Sequence, residues 1–309
     1  MTDIYKPEGY YINTPENIEQ ISTLQGLEYA FSAGLTLEAR AVLCDSSHNL
    51  IVELGKYKGI IPREEVLMSM PYENVREIAV ITRVGKPVCF KITDIIKNGG
   101  DVKIMLSRKK AQIECYENYI TKLTPGDIID AKITHEEPFG CFCDVGRGII
   151  SLLSIDCISV SRIVHPKDRF YVGQYIRAVV KTSAEHDGRI TLSHKELLGT
   201  WSENAQLFNV GETAAGIVRS IEPYGIFIEL APNLAGLAEW REDVYEGQCA
   251  AVYIKSIIPE KMKIKLVIVD CYDCEKGASK INYFINEGHI SYWKYSPDCC
   301  EKLSEVYFG

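Results

Sequence analysis

The chain has 309 residues, of which 46% are hydrophobic and 25% are charged, and this composition excludes a disordered or fibrous protein. A chain of this length suits about two to four compact domains, each able to bury a core. The formal net charge of −8 argues against a protein that coats nucleic acid by bulk positive charge, so any such affinity must be local.

The first residues and the cysteines indicate the compartment. Residues 1–7 have neither the basic start nor the apolar centre of a secretory signal, and the most apolar run, at 149–153, is far shorter than the ~20 residues of a membrane span. The eleven cysteines are an odd number and fit a reducing compartment better than a disulfide framework. We therefore expect a cytoplasmic protein without a membrane segment.

The chain opens with a helix signature. Thr14 is a suitable N-cap, Pro15 suits the first helical position, and an acidic residue follows. We expect one helix from this point to about Ser32.

Three glycine-led segments, beginning at Gly34, Gly126 and Gly211, show that the chain repeats itself. An acidic residue followed by an apolar one comes 18 or 19 residues after each glycine, at Glu53, Asp144 and Glu229. The match continues through Gly59, Gly148 and Gly236 and closes on strands that alternate basic or polar with apolar residues, at Lys103–Ser107, Arg189–Ser193 and Lys263–Leu266. Self-similarity of this kind predicts three tandem units of about 60–75 residues.

Each unit contains about five short runs rich in β-branched residues and separated by turn residues. In the second unit these runs are Ile128–Ile133, Gly140–Val145, Ile149–Leu153, Tyr175–Lys181 and Arg189–Ser193. A sheet this small must close on itself to hide its edges, and a five-stranded Greek-key barrel of the OB type is the common solution. The fold class we expect is mainly β, with three such barrels in tandem.

Helical patterns separate the barrels, at Arg108–Lys122 and at His194–Phe208. In the tail we expect a short helix at Ala278–Glu287 and an extended segment at Ile290–Tyr295, with an aromatic hairpin as the alternative. The expected organisation is a helical segment at 1–33, barrel 1 at 34–108, a linker helix at 109–125, barrel 2 at 126–196, a second linker helix at 197–210, barrel 3 at 211–269 and a C-terminal extension at 270–309.

Two repeats carry a pair of aromatic residues three positions apart on either side of a glycine. The pairs are Phe139 with Phe142 and Tyr224 with Phe227. A glycine between the rings permits a bend or bulge that could bring them onto one outer surface, where bases can stack. The alternative is that Phe142 and Phe227 are core residues, since strand aromatics are often simply buried.

Residues 34–269 resemble the S1 RNA-binding domain family, whose pattern combines a glycine-led first strand, the aromatic pair around glycine and a closing Arg-Ile-x-Leu-Ser strand. The resemblance implies an OB barrel with an RNA face made of the two rings, a histidine on the third strand, and an aspartate and an arginine near the fifth. Carried over residue by residue, it implies RNA-binding roles for Phe139, Phe142, Arg189, Tyr224, Phe227 and Lys263. Arg189 and Lys263 could otherwise be ordinary solvated strand residues.

This chain departs from the family pattern at several positions. The family histidine falls at Ser151 and Glu239, and the family aspartate falls near Ala184 with no clear counterpart in the third repeat. In the first repeat His48 and Ile51 stand where the two rings are expected. We therefore expect no stacking platform on barrel 1.

Barrel 1 instead resembles the opening domain of ribosomal protein S1, through Gly59–Glu65 and Leu106–Ala111. In the family that domain docks onto the ribosome. The resemblance implies a protein that binds single-stranded RNA or mRNA and is associated with the small ribosomal subunit in translation. The alternative is a free RNA-binding regulator or a protein-docking scaffold that is not stably bound to the ribosome.

We expect no enzyme, cofactor, metal or small-molecule substrate. The barrels and linkers leave no room for an ordinary catalytic domain, and the phosphate-binding and hydrolase motifs are absent from the sequence. The histidines of the second repeat, at 135, 165, 186 and 194, lack metal-ligand spacing. Zinc remains open for the tail, whose soft ligands are Cys271, Cys274, His289, Cys299 and Cys300.

Overall fold

The structure is a computed structural model that describes residues 5–68, 77–98, 101–185, 188–273 and 281–309. In these ranges the α-helices are α1 Pro15–Ser22, α2 Leu24–Ser32, α3 Glu77–Ile81, α4 Arg108–Asn118 and α5 Trp201–Ala205. None of them is long and apolar enough to cross a membrane.

Fifteen of the strands in the described ranges form three closed five-stranded barrels. Barrel 1 contains β1 Thr36–Cys44, β2 Leu50–Leu54, β3 Tyr57–Ile61, β4 Pro87–Asn98 and β5 Asp101–Ser107. Barrel 2 contains β6 Ile128–Glu137, β7 Gly140–Asp144, β8 Ile150–Ser154, β9 Tyr175–Thr182 and β10 Thr191–Ser193. Barrel 3 contains β11 Thr213–Glu222, β12 Gly225–Ala231, β13 Leu234–Ala238, β14 Cys249–Ile258 and β15 Lys263–Tyr272.

The three barrels share one topology. The first three strands form an antiparallel meander, the third strand pairs in parallel with the fifth, and the fourth strand pairs antiparallel with both the fifth and the first. This is the OB arrangement, and the expectation of a mainly β chain with three such barrels is confirmed. The domain boundaries at single-residue precision stay predictions.

The strand pairing corrects one part of the repeat alignment. Gly59 faces Val52 and Gly236 faces Ile228, each on the second strand of its barrel. In barrel 2 the residue at this position is Ser151, which faces Cys143. Gly148 lies three residues earlier, in the turn before β8, so matching it to the other two glycines is wrong.

The front helix differs from the single helix expected. Thr14 caps α1 by accepting a hydrogen bond from the Asn17 amide, with Pro15 next to it as predicted. The backbone of Thr23 is extended, however, and its side chain caps α2 by accepting from the Gly26 amide. A threonine that bonds the backbone three residues later favours a new helix start, so the segment forms two short helices.

The segment between barrels 2 and 3 is also broken. A 3-10 turn covers Lys195–Leu198, and Gly199 then takes a φ of 82°. Thr200 starts α5 through a capping box with Glu203. The apolar periodicity predicts one helix over His194–Phe208, whereas the glycine and the cap divide this segment into a 3-10 turn and a short α-helix.

Helix α4 connects barrels 1 and 2 and also packs into the core of barrel 2. Its Cys115, followed by Tyr119 and Ile120, is buried in the hydrophobic cluster of barrel 2 together with Ile133 and Leu153. Burial of apolar side chains of this size contributes about 1.5–3 kcal/mol each. Cutting the chain between α4 and barrel 2 would therefore remove part of the barrel 2 core.

The described part of the tail contains a hairpin and no helix. Strand β16, Tyr292–Lys294, pairs antiparallel with β17, Glu305–Tyr307. Residues 281–289 are not helical, so the expected helix is wrong over that range, and its first residues, 278–280, lie outside the described residues. Three aromatic residues of the tail, Trp293, Tyr295 and Phe308, are buried in the core of barrel 3. This packing of large rings favours the hairpin alternative.

Candidate nucleic-acid interface

Phe139 and Phe142 form an exposed pair on barrel 2. Their ring centroids are 6.0 Å apart and the ring planes are nearly perpendicular, at 87°. Phe139 is 54% exposed and Phe142 is half-buried. Since neither side chain lies inside the barrel core, the alternative that Phe142 is a core residue is wrong. The pair presents apolar ring surface to solvent next to the turn between β6 and β7.

The matching pair on barrel 3 has the same geometry. The ring centroids of Tyr224 and Phe227 are 6.1 Å apart, with an interplanar angle of 88°. Tyr224 is 69% exposed and Phe227 is half-buried. Barrels 2 and 3 thus hold two rings in one arrangement. This repeated geometry marks the pairs as a candidate binding surface.

The glycine between the two rings is required for close packing of the neighbouring strand, whereas we expected it to permit a bend or bulge. A Cβ at Gly140 would lie 2.4 Å from the carbonyl oxygen of Leu153, and one at Gly225 would lie 2.5 Å from that of Ala238. The glycine therefore permits close approach of the neighbouring strand. The bulge lies on the first strand of each barrel, where the pairing shifts between Ile133 and His135 in barrel 2.

The two predicted basic residues lie at or just before the fifth strand of barrels 2 and 3. Arg189 is exposed just before β10, and Lys263 is exposed at the start of β15. Both stand two residues before the residue that pairs with the third strand, Thr191 in barrel 2 and Lys265 in barrel 3. The structure thus places the two predicted cations at one position of the barrel.

Two further residues of the surface were missed in the sequence. Lys265 continues a cross-strand row from Phe227 through Leu237, and it is exposed. Alternation along β15 puts Lys265 on the same face as Lys263, so the strand pattern in the sequence could have identified Lys265. The ring of His135 lies 6.3 Å from that of Phe142 with an interplanar angle of 21°. Only the cross-strand pairing of these two residues brings them together.

The position assigned to the family histidine needs correction in barrel 2. Glu239 follows Ala238, and the residue equivalent to Ala238 is Leu153, which is followed by Ser154. Ser151 is buried and donates a hydrogen bond of 2.6 Å to the carbonyl of Ile190. Its hydroxyl is therefore engaged by the backbone of the barrel.

Barrel 1 carries no ring pair at this surface. Ile51 pairs with Ile60 on β3, as Phe142 pairs with Leu152 and Phe227 with Leu237. His48 lies three residues earlier, in the β1–β2 turn, with a φ of 62°. The sequence placed both residues at the ring positions, and the strand pairing agrees for Ile51.

One of the histidines of the second repeat is buried and hydrogen-bonded within the fold. His194 is buried, where its ring nitrogens contact the carbonyl of Ile158 at 2.9 Å and the hydroxyl of Tyr283 at 3.1 Å. Burial lowers the pKa of His194 to about 4. His135 contacts Glu137 at 2.7 Å, and His186 lies outside the described residues.

No group of three or more His, Cys, Asp and Glu side chains placed to hold a metal occurs in the described ranges, and Cys274 lies outside them. Cys271, Cys299 and Cys300 are free thiols. Cys249 is disulfide-bonded, which departs from the expectation of thiols throughout.

Comparison with known proteins finds one matching family model and several similar proteins. The S1 RNA binding domain matches residues 122–195, a range that includes Phe139, Phe142 and Arg189. A small ribosomal subunit protein bS1 of Staphylococcus aureus is 25% identical over 84% of this chain and 68% of that protein. The bS1 protein of Rhizobium meliloti is also 25% identical, over 84% of this chain and 47% of its own length.

Among solved structures, a multidomain protein with nucleic acid binding domains from Streptococcus pneumoniae covers 77% of this chain and 74% of its own. Its sequence is 13% identical and the TM-score is 0.25. A similarity this low carries no argument about function.

Three closed OB barrels, one of which matches the S1 RNA binding domain, give the chain a modular construction. Residues 122–195 are similar to the S1 RNA binding domain, and the ribosomal proteins named above align with 84% of the chain at 25% identity.

Proposed function

We propose that the chain binds single-stranded RNA, mRNA included, on the ring pairs of barrels 2 and 3. The observation that carries the proposal is the repeated geometry, with centroids 6.0 and 6.1 Å apart and ring planes at 87° and 88°. Stacking of a base on an aromatic side chain contributes about 1–3 kcal/mol and tolerates any base. Bases must be unpaired to stack in this way, since an A-form duplex encloses them.

The charge of the chain supports stacking as the main source of affinity. With a formal net charge of −8, the protein attracts phosphates only where cations are exposed, as at Lys263 and Lys265. We expect about two to five phosphates to be neutralised, each adding about −0.7 to the slope of log K against log salt. A much steeper slope would show that charge dominates binding.

Binding of one labelled sequence as a single strand and as a duplex, at the same salt concentration, tests the proposal directly. We expect the single strand to bind more tightly, because the rings can reach only unpaired bases. Equal affinity for the two forms would contradict it.

We also propose that the protein acts in the cytoplasm at the small ribosomal subunit, with barrel 1 as the docking unit. Barrel 1 has Ile51 in place of a ring and exposes Arg63 and Glu64 just after β3. The relatives named above are small ribosomal subunit proteins, and for this reason we propose a binding protein and not an enzyme.

Fractionation of a lysate on a density gradient separates this proposal from its alternative. Co-migration with small ribosomal subunits supports docking. Migration with free protein, in a preparation that still binds RNA, would support a free regulator. A protein that binds neither RNA nor subunits would be a scaffold of another kind.

A further inference from the structure

A groove of about 460 Å³ joins barrel 1 to barrel 2. Phe142 and Arg189 of the candidate interface line it from barrel 2. Arg83, which precedes β4, and Tyr116 of helix α4 line it as well. The ring surface of barrel 2 therefore continues into a concave surface that barrel 1 helps to form.

Arg83 is the cation of this groove with unused hydrogen-bonding capacity. Its side chain is 19% exposed, and its Nη1 lies 3.7 Å from Glu8 Oε2, beyond a hydrogen bond. Its buried Nε has no hydrogen-bond partner within the part of the chain that the structure describes. Burial, and next the charge of Arg108, lower the pKa of Arg83. Because this Nε is shielded from solvent, a ligand in the groove can reach only the Nη groups of the partly exposed side chain.

Glu8 forms a longer ion pair with Arg83 because its hydrogen bonds go to another arginine. Arg108 is fully buried and donates from Nε to Glu8 Oε1 at 2.6 Å and from Nη2 to Glu8 Oε2 at 2.9 Å. The amide of Cys89 also donates to Glu8 Oε1, at 3.0 Å. The charge of the nearby Asp144 also acts on Arg83, but neither carboxylate accepts a hydrogen bond from it, so its Nη groups stay available to a further acceptor.

Other polar side chains in the groove are already engaged. Gln112 accepts from the Met68 amide at 2.9 Å and donates to the Gly148 carbonyl at 3.0 Å. Ser151 donates to the carbonyl of Ile190. Among these three groove side chains, Arg83 is the one with a donor available to a ligand.

We propose that this groove is an additional RNA subsite, in which Arg83 binds a phosphate of the strand and Tyr116 packs against a neighbouring base. The proposal rests on the proposed function, because the strand enters the groove from the ring pair Phe139 and Phe142. A guanidinium suits phosphate because its planar donors can bind two oxygens at once. Barrel 1 then contributes to RNA binding although its own outer face has no rings.

The test uses the full chain and a labelled oligouridylate of about 16 nucleotides, the upper end of the site size of one OB barrel. Arg83→Gln should weaken binding about 5- to 10-fold and make the salt slope shallower by about 0.7, the contribution of one phosphate. Arg83→Lys should restore the slope but not the full affinity, since lysine acts as a point charge. The control is Arg40→Gln, which removes an exposed cation from β1 of the same barrel and should change neither quantity.

The possible outcomes separate the two proposals. If Arg83→Gln binds with the affinity and slope of the wild type while Phe139→Ala with Phe142→Ala weakens binding, the groove subsite is wrong and the proposed function stands. If the wild type does not bind the oligouridylate, the proposed function itself fails.

Arg83 also lies near Glu8, so Arg83→Gln could destabilise the fold. A second variant tests the subsite in that case. Should Arg83→Gln lower the unfolding temperature, Tyr116→Leu keeps apolar packing at α4 and removes the ring. Weaker binding of Tyr116→Leu with an unchanged salt slope would support the subsite. Unchanged affinity of this variant would overturn it.

Discussion

Asp144 and Glu229 occupy the same position in successive barrels, two residues after Phe142 and Phe227, and each joins its barrel to another segment of the chain. The Asp144 carboxylate accepts from the Glu8 amide at 2.7 Å, so it holds the N-terminal segment against barrel 2. The Glu229 carboxylate accepts from Arg169 of barrel 2 at 2.7 Å. In barrels 2 and 3 the acidic residue that recurs in the sequence therefore makes an inter-segment contact.

The Glu229 contact predicts a large effect on stability. Glu229→Gln leaves Arg169 and Arg219, whose side chains are 7% and 11% exposed, without their shared carboxylate. Breaking a buried ion pair by removing one partner costs about 3–5 kcal/mol, and Asp168, 3.8 Å from Arg219, offsets part of this. We expect a loss of about 3 kcal/mol in denaturant unfolding. Glu53→Gln, at the equivalent exposed position of barrel 1, should have almost no effect, and equal losses in both variants would contradict the prediction.

The ring pair of barrel 2 predicts a loss of binding without a loss of folding. Phe139→Ala with Phe142→Ala should weaken binding of single-stranded RNA by about 2–5 kcal/mol, less any avidity from barrel 3. The unfolding midpoint should change little, because Phe139 is 54% exposed. Ile51→Ala, at the equivalent position of barrel 1, is the matched control and should leave RNA affinity unchanged. Unfolding of the double variant would mean that the rings are structural.

We expect the two exposed lysines of β15 to contribute to the salt dependence of RNA binding. Lys263→Gln with Lys265→Gln should make the slope of log K against log salt shallower by about 1.4, since each cation contributes about 0.7 on a single strand. Lys103→Gln, the equivalent of Lys263 in barrel 1, tests whether the effect is confined to the ring-bearing barrel. A slope that stays at its wild-type value in the double variant would place the phosphates elsewhere.

The sequence predicted the barrels because each strand repeats a local pattern. Glycine-led starts, alternating strands and the ring pairs recur in sequence, so three OB barrels and the positions of Phe142 and Phe227 could be inferred. The contacts between units could not, because they join residues with no shared pattern, such as Glu8 and Arg108, 100 positions apart. The groove with Arg83 depends on such contacts. The family histidine position was misassigned in barrel 2 because Gly148 has a sequence context like that of the glycines in β3 and β13. Only the strand pairing shows that Gly148 is not equivalent to them.

The raised pKa of Glu38 predicts that the stability of the protein depends on pH. It is buried, and burial followed by the charge of Glu8 raises its pKa to about 7. The folded protein therefore keeps a proton on Glu38 that the unfolded chain releases near pH 4.5, so the stability contributed by this proton is present below pH 4.5 and is lost as the pH rises to about 7. Glu38→Gln cannot titrate. The stability of the wild type relative to this variant should fall by about 2–3 kcal/mol across that range, measured by denaturant unfolding. A difference independent of pH would contradict the raised pKa.

The docking role of barrel 1 is best tested in the full chain, because Cys115, Tyr119 and Ile120 belong to the core of barrel 2 and a fragment cut near residue 122 would expose them. Arg63→Glu with Glu64→Arg reverses two exposed charges after β3 and keeps the net charge of the chain. An interface that matches this charge pattern would then meet like charges, which costs several kcal/mol across a docked surface.

We expect this exchanged variant to leave the small ribosomal subunit fraction in gradient sedimentation while it binds free single-stranded RNA with the affinity of the wild type. The matched control is Arg241→Glu with Glu242→Arg, an adjacent pair of the same charges in barrel 3, which should still co-sediment. If the barrel 1 variant co-sediments as the wild type does, the Arg63–Glu64 segment is not the docking surface. If both exchanged variants lose the subunit fraction, the association depends on charge spread over the chain, and no single barrel is the docking unit.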